Sequence, residues 1–126
     1  MRLRAKQSLF VHCLADLLTY AHLGGWEFTL GEAHVINPRK IWDEARVGEP
    51  IRVVRLTDAE HMNGSLHYQR LAIDLNLFVD GKYIRSGRHP AYVQLGTYWE
   101  SLHPLCRWGG RFNDANHFSL THAGKA

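Results

Sequence analysis

The chain has 126 residues, of which 45% are hydrophobic and 21% are charged, and its formal net charge is +3. This length allows one domain with a hydrophobic core over residues 1–126, and the composition is unlike that of collagen, repeat arrays or disordered chains. The weak basic excess does not select a polyanionic partner, and two cysteines are too few for a disulfide-stapled scaffold.

The first predicted element is an amphipathic helix over residues 8–23, where apolar side chains recur at helical spacing. Gly24-Gly25 ends it, and the alternation in residues 26–30 predicts a short strand. Residues 31–64 have little clear period, and we interpret them as a long excursion with one helical turn and one strand. Loops of this length in compact domains are often substrate-binding features. The apolar stripe of the predicted helix consists of Phe10, Leu14, Leu17, Leu18 and Ala21.

The clearest strand pattern lies in residues 72–79, which alternate between apolar and more polar side chains. Asp80-Gly81 then gives a strong hairpin signal, with residues 82–84 as the return strand. A second helix is predicted over residues 90–102, because Pro90 suits a first helical turn and an apolar stripe follows it. In the strand, Ile73, Leu75 and Leu77 share one face, and Ala72, Asp74 and Asn76 share the other.

A glycine–aromatic loop over residues 108–112 leads to a final predicted strand near residues 117–120. The order of helix, strands, helix and strand predicts an α+β fold with a small antiparallel sheet flanked by helices. No secretory signal or membrane span is visible, because His12, Asp16 and His22 interrupt the N-terminal apolar stretch. We therefore expect a cytoplasmic protein with no stable membrane insertion.

Asp74 is the first candidate for a functional residue, because it is a carboxylate inside an apolar strand. A buried, unpaired carboxylate costs several kcal/mol and therefore needs a cation, hydrogen bonds or a metal. Taken alone, Asp74 is explained by a pair with Arg70 or Arg111, or by a solvent-facing strand position. Taken alone, His67 and His117 are explained as packed or surface histidines.

The ordered set of these residues is more informative than any one of them. Ser65-Leu-His67 is followed after six residues by Asp74, and later Asp114 is followed after two residues by His117. In this order the chain resembles the zinc peptidases that include the VanY-like D-Ala-D-Ala dipeptidases and carboxypeptidases and the L-alanyl-D-glutamate endolysins of phages. The resemblance covers nearly the whole chain. It is weakest over residues 34–63, and the flanking segments that look like the phage branch are residues 29–33, 65–67, 70–78, 98–101 and 108–112.

The resemblance implies one Zn²⁺ per chain in a sheet-lined cleft, held by His67, Asp74 and His117. Catalytic zinc takes three protein ligands and keeps a fourth position for water, which becomes a nucleophile near neutral pH. A separate carboxylate must take the water's proton and pass it to the leaving amine, and the resemblance gives this role to Asp114. The alternative for Asp114 is a turn-forming residue after Asn113.

Two positions depart from the resemblance. Many relatives have glycine in place of Arg70, although the phage branch often carries arginine there. At the position of Val35, phage relatives usually carry an arginine that is thought to bind the substrate or to steady the oxyanion. Arg39, Arg52 and Arg55 are the candidates to replace that arginine.

Two further residues are candidates for roles beside the metal. Ser65 could orient a ligand through a hydrogen bond, or it could cap a turn. Trp108, with Gly109 and Gly110, suits a pocket floor where the backbone approaches the substrate. The competing interpretation of this segment is a structural turn with a packed indole.

The resemblance implies a peptidoglycan-degrading zinc metallopeptidase of the phage endolysin type, which hydrolyses the L-Ala–D-Glu bond of the cell-wall stem peptide. Such an enzyme would accumulate in the host cytoplasm and would need a separate membrane-permeabilising protein to reach the wall. The alternatives are a D-Ala-D-Ala carboxypeptidase or dipeptidase with the same zinc centre, and a zinc-retaining cell-wall-binding module without turnover. A nucleic-acid-binding protein is disfavoured, because the basic residues are scattered along the chain.

Overall fold

The computed structural model describes residues 1–31 and 69–125 of the chain. Within them it contains two α-helices and a small antiparallel sheet, so the predicted α+β fold is confirmed. Neither helix of this described part is long and apolar enough to cross a membrane. Three predicted site residues, Arg39, Ser65 and His67, lie outside the described residues. So does the excursion predicted over residues 31–64, except for its first residue, Gly31.

Helix α1 spans Leu3–Leu23 and therefore begins earlier than the predicted start at residue 8. Its first turns consist of good helix formers without an apolar period, so hydrophobic spacing does not reveal them. The helix ends at Gly24, whose N–H donates to the carbonyl oxygen of Tyr20 at 3.0 Å. Of the predicted stripe, Leu14 is half-buried and Leu18 is exposed. The buried face consists of Phe10, Cys13, Leu17 and Ala21.

Five described strands form one antiparallel sheet. They are β1 (Glu27–Leu30), β2 (Ala72–Val79), β3 (Lys82–Ile84), β4 (Cys106–Trp108) and β5 (His117–Leu120). The order across the sheet is β1-β2-β5-β4, and β3 also pairs with β2. Strand β1 lies along one edge of β2, whereas β3 and β5 share the other edge at opposite ends of β2. A gap is therefore left along β2 between β3 and β5.

Helix α2 spans Pro90–Leu102, as predicted. The side chain of His89 caps it by accepting a hydrogen bond from a backbone N–H of the first turn. Trp99 of α2 lies in the centre of the core and makes edge-to-face contacts with Phe10 and Phe118, both at centroid distances of 5.8 Å. Because Phe10 belongs to α1 and Phe118 to β5, this cluster joins both described helices to one face of the sheet.

Strand β4 is not predicted by the sequence pattern, because three residues are too few to show an alternation. Strands β2, β3 and β5 have the predicted bounds, and β1 begins one residue later than predicted. Cys106 of β4 and Cys13 of α1 are both buried and free, as expected of a chain that is not stapled by a disulfide. Burial raises the pKa of both thiols, so they stay protonated at neutral pH.

Candidate metal centre

Two of the three predicted zinc ligands lie side by side on the sheet. Asp74 of β2 is the cross-strand partner of His117 of β5. Residues directly opposite each other in antiparallel strands point to the same face. Their strand neighbours Ile73 and Phe118 are buried in the core beneath the helices, so the face of Asp74 and His117 is the opposite one. Asp74 Oδ1 lies 3.4 Å from His117 Nδ1.

This spacing fits ligands of a shared metal ion. Two ligands bound at about 2.1 Å to a tetrahedral zinc ion lie about 3.4 Å from each other. The side chain of His117 is 9% exposed and that of Asp74 is 17% exposed, so both donor groups are largely withdrawn from water. A carboxylate in such a position is stabilised by a cation or by hydrogen bonds. The chemistry and the separation of this pair therefore suit zinc.

Asp114 lies in a turn just before β5 and faces the same histidine. Its backbone N–H donates to the carbonyl oxygen of Gly109 at 2.8 Å, and its own carbonyl oxygen accepts from the N–H of His117 at 3.0 Å. Asn113 precedes it with a φ of 61°, a left-handed conformation that asparagine tolerates. Asp114 Oδ2 lies 3.9 Å from His117 Nδ1, and the side chain is 53% exposed. Asp114 is thus a turn residue and also a water-accessible carboxylate beside the candidate ligands.

Two glycines let the backbone pack closely around this pair. A Cβ atom on Gly109 would lie 2.1 Å from the carbonyl oxygen of Asp114 and 2.7 Å from Cβ of His117. On the other edge of β2, Gly31 donates its N–H to the carbonyl oxygen of Asp74 at 2.7 Å. A Cβ atom there would lie 3.0 Å from Cβ of Asp74. Side chains at either glycine would therefore press on the residues that form the site.

Trp108 supports the turn that carries Asp114. Its indole is buried, and its Nε1–H donates to the carbonyl oxygen of Ala115 at 2.7 Å. The ring occupies the space above Gly96 and Gly110, where an added Cβ atom would lie 2.1 Å from indole carbons. The indole is thus packed, and it projects from the last residue of β4 against the turn that carries Asp114. A direct contact between Trp108 and a substrate stays a prediction.

The gap between β3 and β5 opens as a cavity of about 180 Å³ beside Asp114. Tyr92 of α2 lines it, donating its hydroxyl to the carbonyl oxygen of Leu75 at 3.1 Å and accepting from the N–H of Leu77 at 3.3 Å. Burial is the main reason that the pKa of Tyr92 is raised to about 12, and the charges of Asp74 and Asp114 raise it further. The hydroxyl therefore stays neutral at physiological pH, and its two hydrogen bonds anchor β2. It does not ionise to a phenolate that could act as a general base.

Sequence reasoning did not single out an amide pair on the same face. Asn116 Nδ2 donates to Asn76 Oδ1 at 3.1 Å, and the carbonyl oxygen of Asn116 accepts from the N–H of Leu75 at 2.8 Å. These bonds fix the residue that precedes His117 against β2. The available signal was the strand alternation, which puts Asn76 on the face of Asp74.

The remaining predicted residues lie at the periphery of the described structure. Arg70 is exposed, directly before Leu71, with a φ of 59°. Glycine adopts this conformation without strain, so the backbone at Arg70 has a left-handed conformation that suits glycine better than arginine. Arg111, an alternative partner for Asp74, has its Nε 2.8 Å from Oε1 of Glu100.

Within residues 1–31 and 69–125, no three His, Cys, Asp or Glu residues form a group that could hold a metal ion. The described part therefore brings together Asp74 and His117 of the predicted ligand set, with Asp114 beside them. The third predicted ligand, His67, lies outside the described residues.

Comparison with known proteins gives a likeness of fold. No family model matches the chain, and no curated protein matches it significantly. The crystal structure of the Serratia marcescens L-Ala D-Glu endopeptidase ChiX is similar, with a TM-score of 0.57. The match covers 94% of this chain and 83% of that chain, at 19% sequence identity.

Proposed function

We propose that this chain is a zinc-dependent peptidoglycan peptidase of the phage endolysin type that hydrolyses the L-Ala–D-Glu bond of the stem peptide. The observation that carries the proposal is the pairing of Asp74 with His117 across β2 and β5, with the carboxylate of Asp114 facing the same histidine. The substrate class is supported by the fold that the chain shares with an L-Ala D-Glu endopeptidase.

In this proposal one Zn²⁺ per chain is held by His67, Asp74 and His117. Two neutral imidazoles and one carboxylate leave the centre with a net positive charge. When bound there, zinc supplies a Lewis acid that polarises the scissile carbonyl and promotes ionisation of water.

Asp114 moves the proton. Its side chain is half-exposed, so water and the peptide both have access to it, and its backbone is fixed by hydrogen bonds to Gly109 and His117. As the water attacks the carbonyl carbon, Asp114 accepts its proton. The same carboxyl group then donates that proton to the amine of D-Glu as the peptide bond breaks.

The substrate is proposed to bind on the face of the sheet opposite to the helices. Asp114 is half-exposed and a cavity lies beside it, and we propose that the bound peptide continues from there on both sides of the scissile bond. Arg39, Ser65, Arg70 and Trp108 are proposed to contact the substrate or to orient a ligand. Access to the wall would require a separate membrane-permeabilising protein acting from the host cytoplasm.

The test is digestion of purified, intact peptidoglycan by the zinc-loaded protein, with the new termini identified by mass spectrometry. We expect new carboxyl termini on L-Ala and new amino termini on D-Glu, while the glycan strands stay uncut. The Asp114→Asn variant serves as a control for contaminating hydrolases, because it should bind zinc but release far less product.

Three outcomes would overturn the proposal in different ways. Release of free D-Ala as the only product would establish a D-Ala-D-Ala carboxypeptidase or dipeptidase. Sedimentation with the polymer without any new termini, with zinc bound, would establish a binding module. Cleavage that continues after complete removal of zinc would show that the reaction does not require the metal.

A further inference from the structure

A second cavity adjoins the one beside Asp114. It has a volume of about 280 Å³ and lies between the segment that follows β3 and the turn that precedes β5. Arg85, Asn113 and Ala115 line both cavities, so the two are adjacent, and we refer to them together as the cleft. Arg88 lines the second cavity as well. The cleft is therefore lined by the candidate proton carrier Asp114 and by two arginines, Arg85 and Arg88.

Local contacts hold the side chain of Arg85 and the backbone of Arg88. The guanidinium of Arg85 lies over the ring of Tyr83, 5.5 Å from its centroid. Arg88 belongs to a turn in which its N–H donates to Oγ of Ser86 at 3.1 Å, and the N–H of His89 donates to the carbonyl oxygen of Ser86 at 3.1 Å. This turn leads directly into α2, so its backbone is anchored by the helix.

Neither guanidinium is neutralised by the described part of the protein. Among residues 1–31 and 69–125, no carboxylate lies within ion-pair distance of Arg85 or Arg88. Arg111, by contrast, is paired with Glu100 at 2.8 Å. Guanidinium groups bind carboxylates through parallel, charge-assisted hydrogen bonds, and two in one cleft create a strong preference for an anion.

We infer that this cleft is a carboxylate subsite, and that it binds the free α-carboxylate of the D-Glu residue whose amine leaves during hydrolysis. The inference rests on the proposed function, because it places the anion on the same substrate molecule that reacts beside Asp114. In the stem peptide D-Glu continues the chain through its side-chain carboxyl, so its α-carboxylate is free for recognition. Peptides in which this group is a carboxamide are consequently poor substrates.

The test combines a change in the substrate with a change in the protein. Two synthetic peptides, L-Ala–γ-D-Glu–L-Lys–D-Ala–D-Ala with the α-carboxylate either free or amidated, are digested by the zinc-loaded full chain. Wild-type protein should cleave the free acid with a kcat/KM about 10–100-fold higher than the amide, since a hydrogen bond to a charged group has an effect of this size. In the variant Arg85→Gln/Arg88→Gln, kcat/KM for the free acid should fall by about the same factor and that for the amide should change little.

Arg4→Gln is the matched control, because Arg4 is an exposed arginine of α1 that lines neither cavity. It should preserve the preference for the acid. Equal rates for the two peptides with wild-type protein would contradict the carboxylate subsite, and so would equal losses of kcat/KM for both peptides in the double variant. Neither result would contradict the proposed peptidase function. Release of terminal D-Ala would overturn the assignment to D-Glu, because the cleft would then bind the carboxylate at the end of the peptide. Hydrolysis of neither peptide would overturn the proposed function, and the inference with it.

Discussion

The candidate site is built from two regions that hold their side chains in different ways. The site floor, Asp74 and His117, lies on two paired strands and is largely buried. The site rim, Asp114 with Arg85 and Arg88, lies in loop segments and is exposed. The floor is positioned by the hydrogen bonds between two strands, whereas the rim is positioned by hydrogen bonds within loops and by the contact of Arg85 with the Tyr83 ring.

Under the proposed function, this difference separates two requirements of hydrolysis. Metal ligands must keep their separation to within a few tenths of an ångström, and a strand register that also fixes the core provides this. Proton transfer and substrate recognition need contact with water and with a polymer, and turns at the edge of the sheet provide that contact. Variants of the rim should therefore affect turnover, whereas variants that disturb the floor should affect zinc binding and stability.

The largest effect on turnover from a change in the rim is expected for Asp114→Asn. The amide keeps the shape of the side chain but accepts no proton, so kcat should fall by about 10²–10⁴-fold. Zinc content and the thermal midpoint should be unchanged. Rate assays on peptidoglycan, elemental analysis and thermal unfolding of the same samples measure the three quantities.

Asp80→Asn is the matched control for this variant. Asp80 lies in the β2–β3 hairpin with a φ of 51°, a conformation that asparagine also tolerates. Its activity should equal that of the wild type. Loss of zinc from Asp114→Asn would instead place Asp114 among the metal ligands, and Asp114 would then belong to the site floor.

Gly109→Ala tests the attachment of the rim to the floor. The added methyl group would overlap the carbonyl oxygen of Asp114 and Cβ of His117. We expect the free energy of unfolding to fall by about 1–3 kcal/mol, as in overpacked cores. Urea unfolding followed by tryptophan fluorescence measures this change.

Gly87→Ala is the comparison for stability, because its added methyl would meet nearest neighbours at ordinary distances of 3.4 and 3.5 Å. Its free energy of unfolding should stay within about 0.5 kcal/mol of the wild-type value. If Gly109→Ala were equally neutral, the turn before β5 would be free to shift away from the strands.

Tyr92→Phe gives the smallest effect and tests the anchoring of β2 from the helix side. At pH 7 the loss of its hydrogen bonds should lower the free energy of unfolding by about 1 kcal/mol. The pKa of Tyr92 is raised to about 12, above its ordinary value of 10.0. The neutral hydroxyl therefore stabilises the fold below pH 10, and this contribution is lost as the pH rises from 10 toward 12.

The wild-type protein should consequently lose more stability than Tyr92→Phe between pH 9 and pH 11. Urea titrations at each pH measure the difference, and Tyr98→Phe is the control, because Tyr98 is a half-buried tyrosine of the same helix that is not among the groups that raise the pKa of Tyr92. Parallel loss of stability in the wild type and in Tyr92→Phe would show that this hydroxyl does not titrate above its ordinary range.

Much of this arrangement follows from local sequence signals. Alternation predicts β2, Asp80-Gly81 predicts the turn into β3, and Pro90 predicts the start of α2. The choice of Asp74 and His117 as ligands came from the resemblance of an ordered motif, because local pattern alone explains each of them as an ordinary residue. Their pairing depends on a register between strands that are distant in sequence, which periodicity does not specify.

Other features had no readable signal. Strand β4 is too short to alternate, and the first turns of α1 have no apolar period. Arg85 and Arg88 lie in a polar segment where an arginine is unremarkable. Their joint position depends on the gap that β3 and β5 leave along β2. Only the assembled sheet shows that they share a cleft with Asp114.

The zinc content of the purified chain tests the central claim most directly. Elemental analysis should find about one zinc per chain in the wild-type protein and in Asp114→Asn. His67→Ala, Asp74→Ala and His117→Ala should each lower it, because each removes one of three proposed ligands. Full zinc occupancy in all three alanine variants would contradict the assignment of a metal centre to the paired strands.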